Sequence, residues 1–129
     1  MPVRVELTSE AVADLGSYAE TEALPKFLTK LIRLEMIGKE VGIPLGRDLA
    51  GFRKIVVGNR DWRIVFQMSA DDTTAKVWVI GDRGDNACYE EATRRVQQLG
   101  KSHPGALSLA ETILALMDRR RRNRSQRRR

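Results

Sequence analysis

The residues whose types could carry out chemistry fall within one stretch of the chain, residues 49–89. Guanidinium groups pair with phosphate oxygens in a bidentate way and stabilise charge that develops on phosphorus. An amine or a phenol can move a proton during attack or departure. Together these groups could cleave RNA through its own 2′-hydroxyl group, without a metal ion. The groups in question are Arg53, Lys54, Arg60, Arg63, Arg83 and, at the end of the stretch, Tyr89.

The same cations allow a second interpretation that involves no chemistry. Arg and Lys on a sheet can face water at an edge or pair with nearby acids, here Asp48, Asp61 and Asp82. Residue types alone leave both interpretations open.

Other classes of site are poorly supported by the sequence. The chain has one His and one Cys, His103 and Cys88, which do not form a zinc-binding cluster. A phosphate-binding loop of the GxxxxGK[ST] type is absent from the sequence, and Cys88 is predicted to be structural. We therefore predict no metal and no cofactor.

The elements that must position these residues follow from the hydrophobic pattern. Alternating or β-branched runs predict strands over residues 3–7, 52–57, 62–68 and 75–80, the last three joined by polar turns into an antiparallel meander. Helical spacing predicts a helix capped near Thr8, and further helices over residues 25–41, 87–99 and 106–118. The predicted fold is a single α+β domain. It has a four-stranded, mainly antiparallel sheet, two N-terminal helices on one face, and C-terminal helices.

Charge is distributed unevenly along the chain. Residues 119–129 contain eight Arg and no acid, so the remainder holds 15 basic against 17 acidic residues and carries a net charge of −2. This basic tail is predicted to be disordered alone and to bind RNA phosphates. We divide the chain into a main domain (1–100), a linker with an appended amphipathic helix (101–118), and the tail (119–129). The apolar face of that helix must be buried on the sheet, in a dimer or against a partner.

The predicted location is the cytoplasm. A single Cys excludes an internal disulfide, which fits a reducing compartment. The first residues lack the basic and apolar regions of a signal peptide, and the sequence has no apolar run long enough to span a membrane.

The order of predicted elements and two motifs resemble the RelE/ParE superfamily of toxins from bacterial type II toxin–antitoxin systems. The motifs are LAGFRKIVVGNRDWRIVFQ and VWVIGDRGDNACYEEATRR, and the resemblance covers residues 3–99. Its most specific parts are the aromatic–Arg pair Trp62-Arg63, Gly81 with Arg83 after the fourth strand, and Tyr89 six residues later.

The resemblance to the RelE branch implies a ribosome-dependent endoribonuclease that cuts mRNA and thereby inhibits translation. It implies catalytic roles for Arg63, Arg83, Tyr89 and Lys54, in phosphate stabilisation, substrate binding, base stacking or proton transfer. We expect Arg47, Arg53 and Arg60 to contribute to RNA binding. The implied partners are a cognate antitoxin, the ribosome and mRNA, with a possible toxin–antitoxin hetero-oligomer.

One position departs from the RelE pattern, which places Lys at alternate positions of the second strand. Here Lys54 is followed two residues later by Val56, and the other cation is the adjacent Arg53. Because successive strand residues face opposite sides, Arg53 does not replace the missing Lys without a bulge. Two alternatives therefore stay open, a ParE-like inhibitor of DNA gyrase and a catalytically inactive relative that binds RNA or antitoxin.

Overall fold

The computed structural model describes residues 2–45, 51–59, 61–82, 84–100 and 104–127, with the backbone alone at 85, 86, 120 and 123–127. A short 3₁₀ helix, Lys39–Val41, separates the second helix from the second strand. In chain order the elements are β1 (Arg4–Leu7), α1 (Ser9–Gly16), α2 (Ala23–Ile37), β2 (Ile43–Pro44), β3 (Phe52–Val57), β4 (Trp62–Met68), β5 (Thr74–Gly81), α3 (Asp85–Leu99), β6 (Leu107–Ser108) and α4 (Leu109–Arg127).

In the part of the chain that the structure describes, the sheet has six strands in the order β2-β3-β4-β5-β1-β6, so the prediction of four strands was incomplete. The antiparallel meander β3-β4-β5 is confirmed, and β1 joins it in parallel beside β5. The two additional strands, β2 and β6, are two residues each and lie in segments predicted as loop and helix. Such short segments are recognisable as strands only through their partners β3 and β1, which no local pattern reveals.

Strand alternation divides the buried side chains between two faces of the sheet. On one face, Ile55, Val57, Ile64 and Phe66 pack with α1, α2 and α4 in the larger core. On the other face α3 packs in a smaller core. That smaller core contains Phe52, Val65, Trp78, Val79, Cys88, Ala92 and Val96.

The helices before the meander agree closely with expectation. The Thr8 hydroxyl accepts a hydrogen bond from the Ala11 backbone N–H at 3.1 Å, so Thr8 is the N-cap of α1. Helix α2 ends at Ile37 rather than near 41, because Gly38 adopts φ 96° and its N–H bonds to the Leu34 carbonyl.

Helix α4 begins later than predicted and extends much further. Ser108 Oγ accepts from the Glu111 N–H, and Glu111 Oε1 accepts from the Ser108 N–H, each at 3.1 Å. This reciprocal capping box starts the helix after Ser108 instead of at residue 106. The helix continues to Arg127, so most of the segment predicted to be disordered is helical.

Part of the apolar face of α4 is buried in the protein's own core, whereas Leu114 and Met117 are 64% and 56% exposed. Leu109 and Leu116 are 3% and 6% exposed and belong to the larger core. Strand β6 pairs with β1 and forms the edge of the sheet, which fixes the start of the helix. The sheet side of the molecule thus covers the part of this face that holds Leu109 and Leu116. Among the described residues, no helix is both long enough and apolar enough to cross a membrane.

Candidate functional site

Lys54 and Arg63 lie on the same face of two neighbouring strands. Across β3 and β4, Lys54 is opposite Val65, and Val56 is opposite Arg63. Opposed residues share a face, and a strand returns to that face at every second residue, so these four side chains form one patch. Lys54 and Arg63 are its diagonal members, about 7–8 Å apart at Cα by ordinary sheet geometry. We call these four residues the cationic patch.

Arg63 is the more deeply placed of the two cations. It is 9% exposed, and its Nη1 donates to the Trp62 carbonyl at 3.1 Å. Water screens a buried charge weakly, so its attraction for a phosphate is stronger than that of a cation on an open surface. A buried guanidinium on a rigid central strand is therefore suited to stabilising a phosphate group.

Tyr89 comes to the same face from α3. It is partly buried and packs against the smaller core. Val65 belongs to both that core and the cationic patch, so Tyr89 lies on the face of the sheet that carries the patch. The structure thus gathers three of the four predicted catalytic residues on one side of the sheet.

The fourth predicted catalytic residue, Arg83, lies outside the described residues, as do the predicted RNA-binding residues Arg47 and Arg60. The described chain next to Arg83 is informative, because Gly81 pairs with Arg63 across β4 and β5. Arg83 follows Gly81 by two residues in the sequence.

Arg53 lies on the opposite face from the patch. The β3–β4 register runs without a break from Phe52 to Val57, so no bulge turns Arg53 toward Lys54. Its Nε donates to the Lys39 carbonyl at 3.0 Å and its Nη2 to the Gly42 carbonyl at 2.7 Å. The guanidinium therefore holds the chain that leads into β2, a role that differs from the predicted RNA contact.

A buried ion-pair network that joins α1, α3 and β5 was not predicted. Arg95 is 8% exposed and donates from Nη1 and Nη2 to Asp14 at 2.7 and 3.0 Å. Its Nε donates to Glu91 at 2.6 Å and lies 3.1 Å from Glu10. Burial opposes the charge, but the bonds to Asp14 and Glu91 raise the pKa of Arg95. The sequence contained a signal for this network. Arg95 lies on the same face of the helix as Ala92, and a charged side chain that is buried there needs a partner.

Beyond the end of β1, the network supplies hydrogen bonds to backbone groups of β5. Strand β1 pairs with β5 only from Thr74 to Val77. Past that point Arg95 Nη1 donates to the Trp78 carbonyl at 2.8 Å, and Asp14 Oδ2 accepts the Ile80 N–H at 3.0 Å. Side chains from α1 and α3 thus satisfy backbone groups that would otherwise lack a strand.

Glu91 is the most perturbed acid of this network. The hydrogen bond from Arg94 at 2.6 Å is the main cause; burial opposes it, and Arg95 adds to it. The pKa of Glu91 is lowered to about 2. The carboxylate is thus ionised throughout the physiological range and acts as a fixed negative charge.

A cavity of about 270 Å³ adjoins this network and not the cationic patch. It lies between the end of α1 and the start of α3, and its walls include Asp14, Ser17, Asp82, Cys88 and Glu91. None of Lys54, Arg63 and Tyr89 lines it. Among the described residues, no cluster of His, Cys, Asp and Glu could hold a metal ion.

Several solved structures of RelE toxins, free or in a toxin–antitoxin complex, match this structure. One is a chain of the toxin–antitoxin complex RelBE2 from Mycobacterium tuberculosis, with a TM-score of 0.54 and 24% identity, covering 64% of this chain and 100% of that chain. The free Escherichia coli toxin RelE, as a double Arg-to-Ala mutant, has a TM-score of 0.59 and 16% identity, covering 74% and 99%. The chain has the fold of RelE toxins.

The RelE-like fold accounts for nearly all of each matched chain but not for all of this one. Isolated Escherichia coli RelE also matches, with a TM-score of 0.51 and 17% identity, over 71% of this chain and 96% of that chain. Between a quarter and a little over a third of this chain thus has no counterpart in these RelE structures. No protein-family model and no curated protein sequence matches the chain.

Proposed function

We propose that this protein is the toxin of a type II toxin–antitoxin pair and that it is a ribosome-dependent, metal-independent endoribonuclease acting on mRNA in the cytoplasm. The observation that carries the proposal is the placement of Lys54, Arg63 and Tyr89 on one face of a RelE-like sheet. A shared fold alone does not carry an activity, so the chemistry must come from these side chains.

The proposed reaction needs only groups that the chain and the RNA supply. The 2′-oxygen attacks the adjacent phosphorus, the bond to the 5′-oxygen breaks, and a 2′,3′-cyclic phosphate and a 5′-hydroxyl result. Arg63, with Arg83, stabilises the negative charge that develops on the phosphate oxygens. Lys54 binds phosphate or assists proton transfer, and Tyr89 stacks on a base or transfers a proton.

The proposed partners are a cognate antitoxin, the ribosome and mRNA. Support for the antitoxin comes from the RelBE2 complex, whose chain shares this fold. Support for a polyanionic substrate comes from the cationic patch, where two cations lie on the same face of neighbouring strands.

Mapping of mRNA 5′ ends in a translating extract tests the proposal. Wild type, Tyr89→Phe, Lys54→Met and Arg83→Ala are compared, and Arg33→Met is the control because Arg33 is exposed on α2, outside the patch. We expect new cleavage ends with wild type and the control, and a loss of about 100-fold in Tyr89→Phe if Tyr89 transfers the proton.

Different failures point to different functions. Growth arrest of cells that express the protein, without new mRNA 5′ ends but with loss of the supercoiling activity of DNA gyrase, would favour a gyrase inhibitor. Binding to ribosomes without cleavage would favour a catalytically inactive relative. The last alternative has a specific observation in its favour, because the uncharged Val56 stands directly opposite Arg63 in the cationic patch.

A further inference from the structure

We propose that the C-terminal half of α4 is a second, non-catalytic binding site for the phosphate backbone of duplex RNA. This inference deepens the proposed function by naming how the protein holds a structured RNA, while cleavage stays with the cationic patch. It rests on the anchoring of α4, on its charge and on its composition.

The first half of α4 is fixed to the body of the protein. Leu109, Thr112 and Leu116 are buried, and β6 is hydrogen-bonded to β1 immediately before the helix. At the next turn, Arg119 Nη1 donates to the Gly16 carbonyl at 3.3 Å. The helix that continues to Arg127 is thus an extension of an anchored element.

Charge changes abruptly where this anchor ends. Residues 1–118 carry a net charge of −2, whereas residues 119–127 contain six Arg and no acid. At 1.5 Å per residue these nine residues span about 14 Å, so the six Arg amount to roughly one positive charge per 2 Å. One of them, Arg122, is paired with Asp118 at 2.7 Å. A nucleic-acid duplex carries about one negative charge per 1.7 Å of its axis, so the two charge densities are of the same order.

Composition favours a duplex over other polyanionic partners. Residues 119–129 contain no apolar side chain that could enter a membrane or pack into a protein groove. Residues 101–129 contain no Phe, Tyr or Trp on which the bases of a single strand could stack. What remains is contact with phosphates, the interaction through which double-stranded RNA is commonly held.

The proposed site and the cationic patch are on different sides of the molecule. Helix α4 packs with α1 and α2 on the face that carries Ile55 and Ile64, whereas Lys54 and Arg63 face α3. Loss of one site should therefore leave the other intact.

Binding of a short mixed-sequence RNA duplex, measured by fluorescence anisotropy across a salt series, tests the proposal with full-length protein. The tail variant is Arg121→Gln with Arg124→Gln, which keeps the Arg119 hydrogen bond and good helix formers. The matched control is Lys30→Gln with Arg33→Gln on α2. We expect the tail variant to bind about tenfold more weakly, or worse, near 0.1 M salt. Its salt slope should fall by about 0.9 for each phosphate that it no longer neutralises, with the control unchanged.

Further variants test whether duplex binding needs the helical conformation as well as the charge, and whether it is independent of mRNA cleavage. Asn123→Pro keeps every charge but breaks the helix, so it should weaken duplex binding; unchanged affinity would overturn the helical site. Stronger binding to phosphatidylserine vesicles or to poly-glutamate than to the duplex would overturn the choice of RNA. Tyr89→Phe should bind the duplex like wild type whether or not it cleaves mRNA more slowly, so failure of the proposed enzyme activity is distinguishable from failure of this site.

Discussion

At the scale of single residues, the position of greatest interest is Val56. It stands opposite Arg63 and two residues from Lys54, all on one face, so a cation placed there would join the other two. Val56 is only partly buried, which leaves room for a long side chain to reach solvent. Substitution of Val56 by Lys therefore tests whether a cation at this position contributes to cleavage.

We expect Val56→Lys to raise the cleavage rate about tenfold, the effect of one additional charge-assisted hydrogen bond of roughly 1.4 kcal/mol to the reacting phosphate. Counting of new mRNA 5′ ends in a translating extract measures the rate. Val56→Gln is the control, since it adds length and polarity without charge. A gain in the Gln variant equal to that in the Lys variant would rule out the electrostatic explanation.

Arg53 provides a second prediction, which separates stability from RNA contact. Its guanidinium donates to the carbonyls of Lys39 and Gly42, and Arg53→Met leaves both acceptors without that donor. We expect a decrease of about 1–3 kcal/mol in the free energy of unfolding, measured by urea denaturation. Binding of RNA by the folded fraction should be unchanged. Weakened RNA binding with unchanged stability would instead support the predicted RNA contact.

At the scale of elements, the network around Arg95 joins α1, α3 and β5. Asp14 and Arg95 supply the hydrogen bonds that a strand would supply at the edge of β5, just before the loop that leads to Arg83. Buried charges persist only when they are paired, so the network couples the stability of this edge to the ionisation of its acids.

The pH dependence of stability tests this coupling. The pKa of Glu91 falls from 4.5 to about 2 on folding, so its ion pairs stabilise the fold fully above pH 4.5 and cease to do so as the pH falls towards 2. We expect Glu91→Gln to cost roughly 1 kcal/mol at neutral pH, a value reduced for the partial exposure of the side chain, and to have little effect near pH 2. Urea midpoints measured from pH 7 to pH 2 give the comparison. The exposed neighbour Glu90→Gln is the control, and an equal decrease in both variants at every pH would contradict the coupling.

At the scale of the whole molecule, the C-terminal unit β6–α4 has two notable features. The C-terminal unit β6–α4 extends the sheet at β1 and closes the larger core, although it lies after the segment that resembles the family. The same unit carries nearly all of the excess positive charge. The molecule thus consists of a slightly acidic body and a basic helix that is anchored to it.

A matched pair of substitutions tests whether α4 is part of the body. Leu116 is 6% exposed and lies in the larger core, whereas Leu114, two residues away, is 64% exposed. We expect Leu116→Ala to lower the free energy of unfolding by about 2–4 kcal/mol and Leu114→Ala to change it by less than about 0.5 kcal/mol. Thermal and urea unfolding measure both. Equal, small effects would mean that α4 is an appendage, as the predicted division at residue 100 implies.

The sequence by itself determined the parts of the structure that depend on local pattern. The bounds of β3 and β4 were predicted to the residue, and Thr8 was recognised as a helix cap, because alternation and capping act within a few residues. The opposite orientations of Arg53 and Lys54 also followed from alternation alone. Tertiary structure decided what depends on partners distant in the chain: the parallel β1–β5 pair, the two edge strands, the Arg95–Asp14 network and the burial of α4. Each of these is stabilised by hydrogen bonds or apolar contacts between segments far apart in sequence, and a local pattern contains no information about which segments will meet.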